Sequence, residues 1–123
     1  MKFLSDLEPV AYAAFRILIG FLFMCHGAQK LFGVFGGHQS LHSPLMLAAA
    51  VIEFGGGLLV LLGLVTRFAA FICSGEMAVA YFMMHQPRGF LPIKNSGEAA
   101  VFYCFAFLLI ACYGSGKFAV QKD

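Results

Sequence analysis

The stretch from Arg16 to Lys30 reads RILIGFLFMCHGAQK and places ionisable residues inside an otherwise apolar segment. The segment has the character of a membrane-spanning helix, yet Arg16, His26 and Lys30 interrupt it. Ionisable side chains at bilayer depth are costly, usually face a protein interior and commonly mark a functional site. The rest of the chain must therefore supply partners for these three groups.

The composition is that of an integral membrane protein. Of the 123 residues, 61% are hydrophobic and 11% are charged, whereas a soluble domain is roughly half apolar and roughly a quarter charged. The net charge of +2 is too small to indicate nucleic-acid binding, and no run of Lys or Arg is present. We expect the lipid bilayer as the main partner and no nucleic acid.

Length limits the chain to one domain. With spans of about 20 residues for a hydrocarbon core of about 30 Å, there is room for four helices. The sequence predicts an all-α integral membrane four-helix bundle with short loops, a single domain over residues 1–123. The predicted helices cover residues 6–32, 45–65, 68–85 and 96–113, with loops over 34–44 and 85–96. Ser5 and Glu8 form a capping-box pattern ahead of the first helix, and a polar tail is expected after residue 113.

The distribution of positive residues predicts the orientation. The side that holds both termini carries Lys2, Arg67, Lys117 and Lys122, and the other side carries Lys30, Arg88 and Lys94. Positive residues are enriched in cytoplasmic loops. We therefore expect a multi-pass protein with both termini in the cytoplasm.

Depth in the membrane suggests partners for the buried charges. At about 1.5 Å per residue, Arg16 and Glu76 lie roughly 10 Å and 12 Å from the side of the termini, which predicts a pair that either fixes helix register or faces a ligand. Glu53 lies roughly 20 Å in and His26 roughly 25 Å in, with Lys30 one turn deeper. Glu53 is therefore expected to face His26 and Lys30.

Two stripes of small and ionisable residues are expected to meet in the interior. Positions 16, 20, 23, 27 and 30 share one face of the first helix, and positions 53, 56, 57, 60 and 63 share one face of the second. Small residues such as Gly27 permit the close helix packing found in membranes. The stripes predict a polar seam between the two helices. Glu98 is three residues after Asn95, a spacing that helix capping also explains.

Several chemistries have no support in the sequence. The four cysteines form no C-x-x-C pair, so a dithiol redox centre is not indicated. The di-iron E-x-x-H repeat, the Gly-rich dinucleotide turn and the nucleophile elbow are also missing from the sequence. We predict no metal site.

The motifs taken together resemble those of a known family. They are Arg16, HGAQKL over residues 26–31, EFGGG over 53–57, LGLVTR over 62–67, Glu76-Met77, PRGF over 87–90 and NSGE over 95–98. In this order they resemble the DoxX family of small bacterial membrane proteins, across nearly the whole chain. The usual family tail, Gly-Pro-Gly followed shortly by Ser-Leu-Asp, is replaced here by GSGKFAV over residues 114–120.

The resemblance implies a four-helix protein of the bacterial inner membrane, often labelled an oxidoreductase after a subunit of a thiosulfate:quinone oxidoreductase. Some members of the family are associated with redox or thiol-stress partners, so a redox partner protein is implied here. The motif positions that carry over are Arg16, His26, Lys30, Glu53, Glu76 and Glu98.

Two hypotheses about function follow. In the first, the seam binds a quinone or a similar small molecule, with His26, Lys30 and Glu53 as the catalytic candidates and Arg16, Gly27, Glu76 and Glu98 as further ligand-binding or ion-pair residues. Buried protonatable groups suit quinone reduction, which takes up protons. In the second, the protein is a non-enzymatic assembly partner or a small solute or lipid carrier whose buried charges are structural. Homo-oligomers are compatible with both hypotheses, because glycine-rich faces also pack between subunits.

Overall fold

The structure, a computed structural model, describes residues 1–39 and 41–123, and every regular element in them is helical. Ser40, inside the predicted loop over residues 34–44, lies outside the described residues. The helices are α1 (Lys2–Asp6), α2 (Glu8–Phe32), α3 (Pro44–Leu62), α4 (Thr66–Arg88), α5 (Pro92–Asn95) and α6 (Glu98–Tyr113). Helices α2, α3 and α4 are long and apolar enough to cross a membrane, and α6 is a shorter apolar helix. The predicted all-helical membrane protein is confirmed.

The predicted capping box ahead of the first long helix is wrong. Ser5 lies inside α1, and α2 begins at Glu8 without a side-chain cap. An N-cap residue needs a non-helical backbone, which a residue inside a helix does not have. Pro9 in the first turn of α2 fits that position because the first helical N–H groups have no intrahelical partner.

Helices α3 and α4 form a tight hairpin, and α3 ends earlier than predicted. Ser43 caps its start by accepting a hydrogen bond from the Met46 N–H at 3.2 Å. It ends at Leu62 because Gly63 adopts a left-handed conformation, with φ of 75°, which glycine adopts without steric cost. Gly63 is therefore outside the helical stripe in which the sequence placed it.

Glycines bring α2 and α3 into backbone contact. A Cβ atom on Gly20 would lie 2.5 Å from the Leu61 backbone nitrogen, and one on Gly57 would lie 2.5 Å from that of Met24. One on Gly27 would overlap the backbone at the start of the EFGGG motif. The predicted contact between the two stripes is confirmed, and it aligns the second half of α2 with the middle of α3.

The other close helix pair is α4 with α6. Ala69, Ala70 and Cys73 of α4 belong to the same buried core as Phe107 and Ile110 of α6. The core continues to α2 and α3, so the four longer helices share one interior.

Two π-helical turns interrupt the long helices on the side away from the termini. One covers Ile52–Gly56 in α3, and the other covers Tyr81–His85 in α4, followed by a 3-10 turn over Gln86–Arg88. The extra residue of a π turn shifts the side chains that follow, and such turns are frequent at functional sites. Both turns line the cavity described below.

The predicted polar tail is instead an ordered segment that folds back onto the α3–α4 turn. The Val120 N–H donates to the Leu62 carbonyl at 2.9 Å, and the Gln121 N–H donates to the Gly63 carbonyl at 3.0 Å. Ser115, at the start of the tail, is 2% exposed. The tail is thus part of the packed structure.

Candidate functional site

A cavity of about 580 Å³ lies between the four longer helices, in the half of the molecule away from the termini. Its walls are largely apolar and include Phe23, Leu45, Ile52, Ile72, Met77 and Met83. The polar side chains that reach it are His26, Lys30, Glu53, Glu76, His85, Arg88 and Tyr103. Small-molecule sites typically have volumes of roughly 300–1,000 Å³, apolar walls and a few converging polar groups. The cavity meets each of these criteria.

An ion pair between α2 and α3 lies at the cavity wall. The Lys30 Nζ atom is 2.6 Å from Glu53 Oε2. Glu53 is 1% exposed, whereas the Lys30 side chain remains 30% exposed. The prediction that Glu53 faces His26 and Lys30 is confirmed for Lys30, while His26 lines the same cavity with its ring against Tyr103. The close helix contact at Gly27, one turn before Lys30, permits this short distance.

Glu76 brings a second carboxyl group to the same place from α4. Glu76, Glu53 and Lys30 all line the cavity, and Glu76 is close enough to the other two to interact with them electrostatically. Within residues 1–39 and 41–123, the buried Oε1 atom of Glu76 has no hydrogen-bond partner. An unpaired buried polar atom costs roughly 1–3 kcal/mol. The arrangement therefore offers an unfilled hydrogen-bonding position beside two carboxyl groups and one ammonium group.

His26 and Tyr103 are two further polar side chains of the cavity wall. The His26 ring meets the Tyr103 ring edge-on, with 5.8 Å between centroids. Both rings line the cavity. Sequence reasoning selected His26 but gave Tyr103 no role, since one tyrosine in a phenylalanine-rich helix carries no distinguishing signal.

Arg16 does not pair with Glu76, so that prediction is wrong. Its guanidinium group is fully buried and donates hydrogen bonds to the backbone carbonyls of Val60, Leu61, Ser115, Lys117 and Phe118. The last carbonyls of a helix lack intrahelical partners and attract positive charge. Position along α2 predicts how deep Arg16 lies in the membrane but not which neighbour its side chain meets. The end of α3 and the tail together supply all five acceptors.

Glu98 stands apart from the other predicted site residues. It is exposed in the first turn of α6 and borders a separate shallow groove with Leu91, Ile93 and Phe102. The structure therefore brings His26, Lys30, Glu53 and Glu76 together at the cavity, and places Arg16, Gly27 and Glu98 outside its lining.

Asn95 is a structural residue that sequence reasoning considered only as a helix cap. It is 1% exposed, and its side-chain amide donates to the Tyr81 hydroxyl at 3.1 Å and to the Gly89 carbonyl at 3.0 Å. Its Oδ1 atom accepts the Gly97 N–H at 2.9 Å. These bonds fix the segment between α4 and α6 against the π turn of α4, which borders the cavity. The Asn-Ser-Gly sequence is a signal for such a turn.

Across residues 1–39 and 41–123, no three His, Cys, Asp or Glu side chains are grouped so as to hold a metal ion.

Known proteins resemble the chain along most of its length. The family model of DoxX matches residues 11–86. A Haemophilus influenzae relative named "Uncharacterized protein" is 39% identical over 129 residues, covering 99% of this chain and 96% of the relative. "Inner membrane protein YqjF" of Escherichia coli K12 is 28% identical, covering 97% of this chain and 95% of the relative. No solved structure matches the chain.

The range matched by the family model contains three of the charged residues that line the cavity. Lys30, Glu53 and Glu76 all lie within residues 11–86, and α2, α3 and α4 are long and apolar enough to cross a membrane. This chain therefore belongs to the DoxX family and is a small membrane protein.

Proposed function

We propose that the protein binds a quinone, or a similar small molecule with a carbonyl or phenolic oxygen, as the membrane subunit of a redox system. The observation that carries the proposal is the convergence of Lys30, Glu53 and Glu76 on one apolar cavity of about 580 Å³. An apolar ring gains from burial against such walls. A ring oxygen in the same cavity needs a hydrogen-bond donor, and Lys30 is placed to provide one.

The polar groups divide into donors and proton acceptors. Lys30 and His26 would donate hydrogen bonds to a quinone carbonyl or to the oxyanion formed on reduction, and Glu53 with Glu76 would exchange protons with it. Reduction of a quinone to a quinol takes up two electrons and two protons. The side chains described here exchange protons only, so the electrons would come from a redox partner protein or from a second quinol.

We further propose that α6 is a fourth membrane span, which completes a four-helix bundle in the inner membrane, the location named for the relative YqjF. Lys30 lies in α2 and is paired with Glu53. We therefore leave it out of the count of positive loop residues that predicts the orientation. The side of the termini then carries Lys2, Arg67, Lys117 and Lys122 against Arg88 and Lys94 on the other side. This distribution favours both termini in the cytoplasm.

The test is equilibrium binding of a short-tailed ubiquinone analogue to the protein in lipid nanodiscs. We expect the wild type to bind it and Glu53→Gln to lower the affinity by at least about tenfold, equivalent to about 1.4 kcal/mol, because Lys30 loses its anionic partner and one proton acceptor is removed. Glu98→Gln is the matched control, since it makes the same chemical change at an exposed position outside the cavity. We expect its affinity to equal that of the wild type.

Two outcomes would contradict the proposal. One is a Glu53→Gln protein that melts at a lower temperature but binds the quinone with unchanged affinity. The other is a wild type that binds no quinone. If such a protein retained a lipid or a solute, that result would support the carrier hypothesis. If the protein is a non-enzymatic assembly partner, it would bind no quinone and retain no small molecule.

A further inference from the structure

Helices α3 and α4 separate from each other towards the cavity. They pack together from the π turn of α3 (Ile52–Gly56) to the hairpin turn at Gly63. The first two turns of α3, Pro44–Val51, pack against α2 rather than against α4. A slot therefore opens between the two helices beside the cavity.

The edges of this slot are apolar and accessible. On α4, Ile72, Gly75, Val79 and Met83 follow each other at helical spacing, and each both lines the cavity and is exposed. Leu45 and Ala48 on α3 have the same two properties. A side chain that is exposed and also lines a cavity lies at an opening of that cavity, so these two stripes bound one opening, the mouth of the slot. His26, Met84, Arg88 and Ala99 also line the cavity and are exposed, so the cavity has other accessible edges besides this one.

The mouth lies at the depth of the hydrocarbon core. At about 1.5 Å per residue, Ile72 is roughly 9 Å and Met83 roughly 25 Å from the start of α4 at Thr66, within a core of about 30 Å. The hydrocarbon core of the bilayer therefore faces this opening.

We propose that the slot between α3 and α4 is a lateral entrance from the bilayer, and that the ligand is a membrane-dissolved molecule with a polar ring and a long hydrocarbon tail. The ring occupies the cavity beside Lys30, Glu53 and Glu76, and the tail lies in the slot. This inference rests on the proposed function and adds the class of ligand and its route. Met46, Met77, Met83 and Met84 line the cavity, and methionine adapts readily to the shape of an apolar ligand.

Gly75 provides a direct test of the slot. A Cβ atom at Gly75 would meet no atom within 4 Å, and the same holds for Gly55. Gly75 lines the cavity and Gly55 does not. Gly75→Phe therefore fills the mouth, while Gly55→Phe makes the same change on α3 away from it. Ala48→Phe fills the mouth from the opposite edge and serves as the second variant.

The measurement is nanodisc binding of two quinones with the same ring, one with a long isoprenoid tail and one without a tail. We expect Gly75→Phe and Ala48→Phe to lower the affinity for the long-tailed quinone by at least about tenfold and to leave the tail-less quinone within about twofold. Gly55→Phe should match the wild type for both. Size-exclusion profiles and circular dichroism establish that each variant is folded.

The possible failures are distinguishable. A wild type that binds both quinones, together with Gly75→Phe and Ala48→Phe variants that retain full affinity for the long-tailed one, would overturn the lateral entrance and leave the proposed function standing. Equal losses for both quinones would also overturn it, because the slot would then not be specific for the tail. A wild type that binds neither quinone would overturn the proposed function and this inference with it.

Discussion

At the scale of single residues, the protein accommodates two membrane-embedded cations in different ways. Lys30 meets a carboxylate, Glu53, at 2.6 Å. Arg16 is fully buried and donates hydrogen bonds to five backbone carbonyls. A planar guanidinium has five N–H donors in a fixed arrangement, which suits several carbonyls at once, whereas an ammonium has three. Arg16 thus holds the tail against the end of α3, and Lys30 is part of the cavity wall.

The hydrogen bonds of Arg16 predict that the Arg16→Lys substitution loosens the tail. Lysine has fewer N–H donors than arginine, so some of the five carbonyls stay unpaired in this variant. We expect its free energy of unfolding to fall by about 2–3 kcal/mol. We also expect faster trypsin cleavage after Lys117, which lies in the tail. Both quantities are measured on purified protein in detergent.

Arg67→Lys is the control for this prediction. Arg67 also donates to backbone carbonyls, those of Ala111, Cys112 and Tyr113, but it does so at an exposed position. We expect a stability change within about 0.5 kcal/mol for it. Equal cleavage of the two variants after Lys117 would show that Arg16 does not hold the tail.

At the scale of helices, the site depends on how closely α2 approaches α3. The glycines at positions 20, 27 and 57 let the two backbones touch, and this contact places Lys30 within reach of Glu53. The π turn of α3 then carries the Glu53 side chain. The ion pair is therefore a consequence of helix packing as well as of charge.

This packing predicts opposite results for two neighbouring glycines. In Gly57→Ala the new Cβ atom would meet the Met24 nitrogen and the Gly20 carbonyl at 2.5 and 2.8 Å, and backbone atoms cannot move aside without separating the helices. We expect a loss of at least about 2 kcal/mol in the free energy of unfolding. Gly55→Ala, with open space around the new atom, should be neutral or stabilise by up to about 1 kcal/mol.

Thermal unfolding of the two variants in the same detergent provides the measurement. Similar melting temperatures for Gly57→Ala and the wild type would mean that α2 and α3 are farther apart than the structure shows. Gly20, Gly27 and Gly57 are already used for packing inside one subunit, so a homo-oligomer would need other surfaces.

At the scale of the whole molecule, the orientation depends on whether α6 crosses the membrane. Four spans place the α4–α6 segment and the tail on opposite sides, whereas three spans place them on the same side. Lys94 and Lys122 are exposed positions in those two segments. We expect an impermeant maleimide applied to intact spheroplasts to label Lys94→Cys, in a chain whose own cysteines are replaced, and to leave Lys122→Cys unlabelled.

Lysis of the spheroplasts is the internal control, since it should make Lys122→Cys reactive. Labelling of Lys122→Cys alone before lysis would keep four spans but reverse the proposed orientation. Equal labelling of both positions before lysis would contradict the fourth span.

Much of the architecture could be predicted from local patterns. The apolar segments gave the membrane class and the all-helical fold, because hydrocarbon requires every backbone N–H and C=O to be bonded within the segment. The depths of Glu53 and Lys30 led to the correct ion pair. The boundaries were less accurate: α3 ends at Leu62 and not at residue 65, since the conformation of Gly63 depends on the turn that follows it.

The sequence by itself determined the class of protein, the four longer helices and the residues whose charge needs a partner, since hydropathy and periodicity are properties of short segments. It did not predict the short helices α1 and α5. Only the tertiary structure decided which partners these charges meet. Arg16 is bound by the end of α3 and by a tail that begins 99 residues later, at Ser115, and Glu76 lines the same cavity as Glu53 and Lys30. Depth along a helix is readable from a sequence, but the rotation of each helix and the path of the tail are set by packing between distant segments.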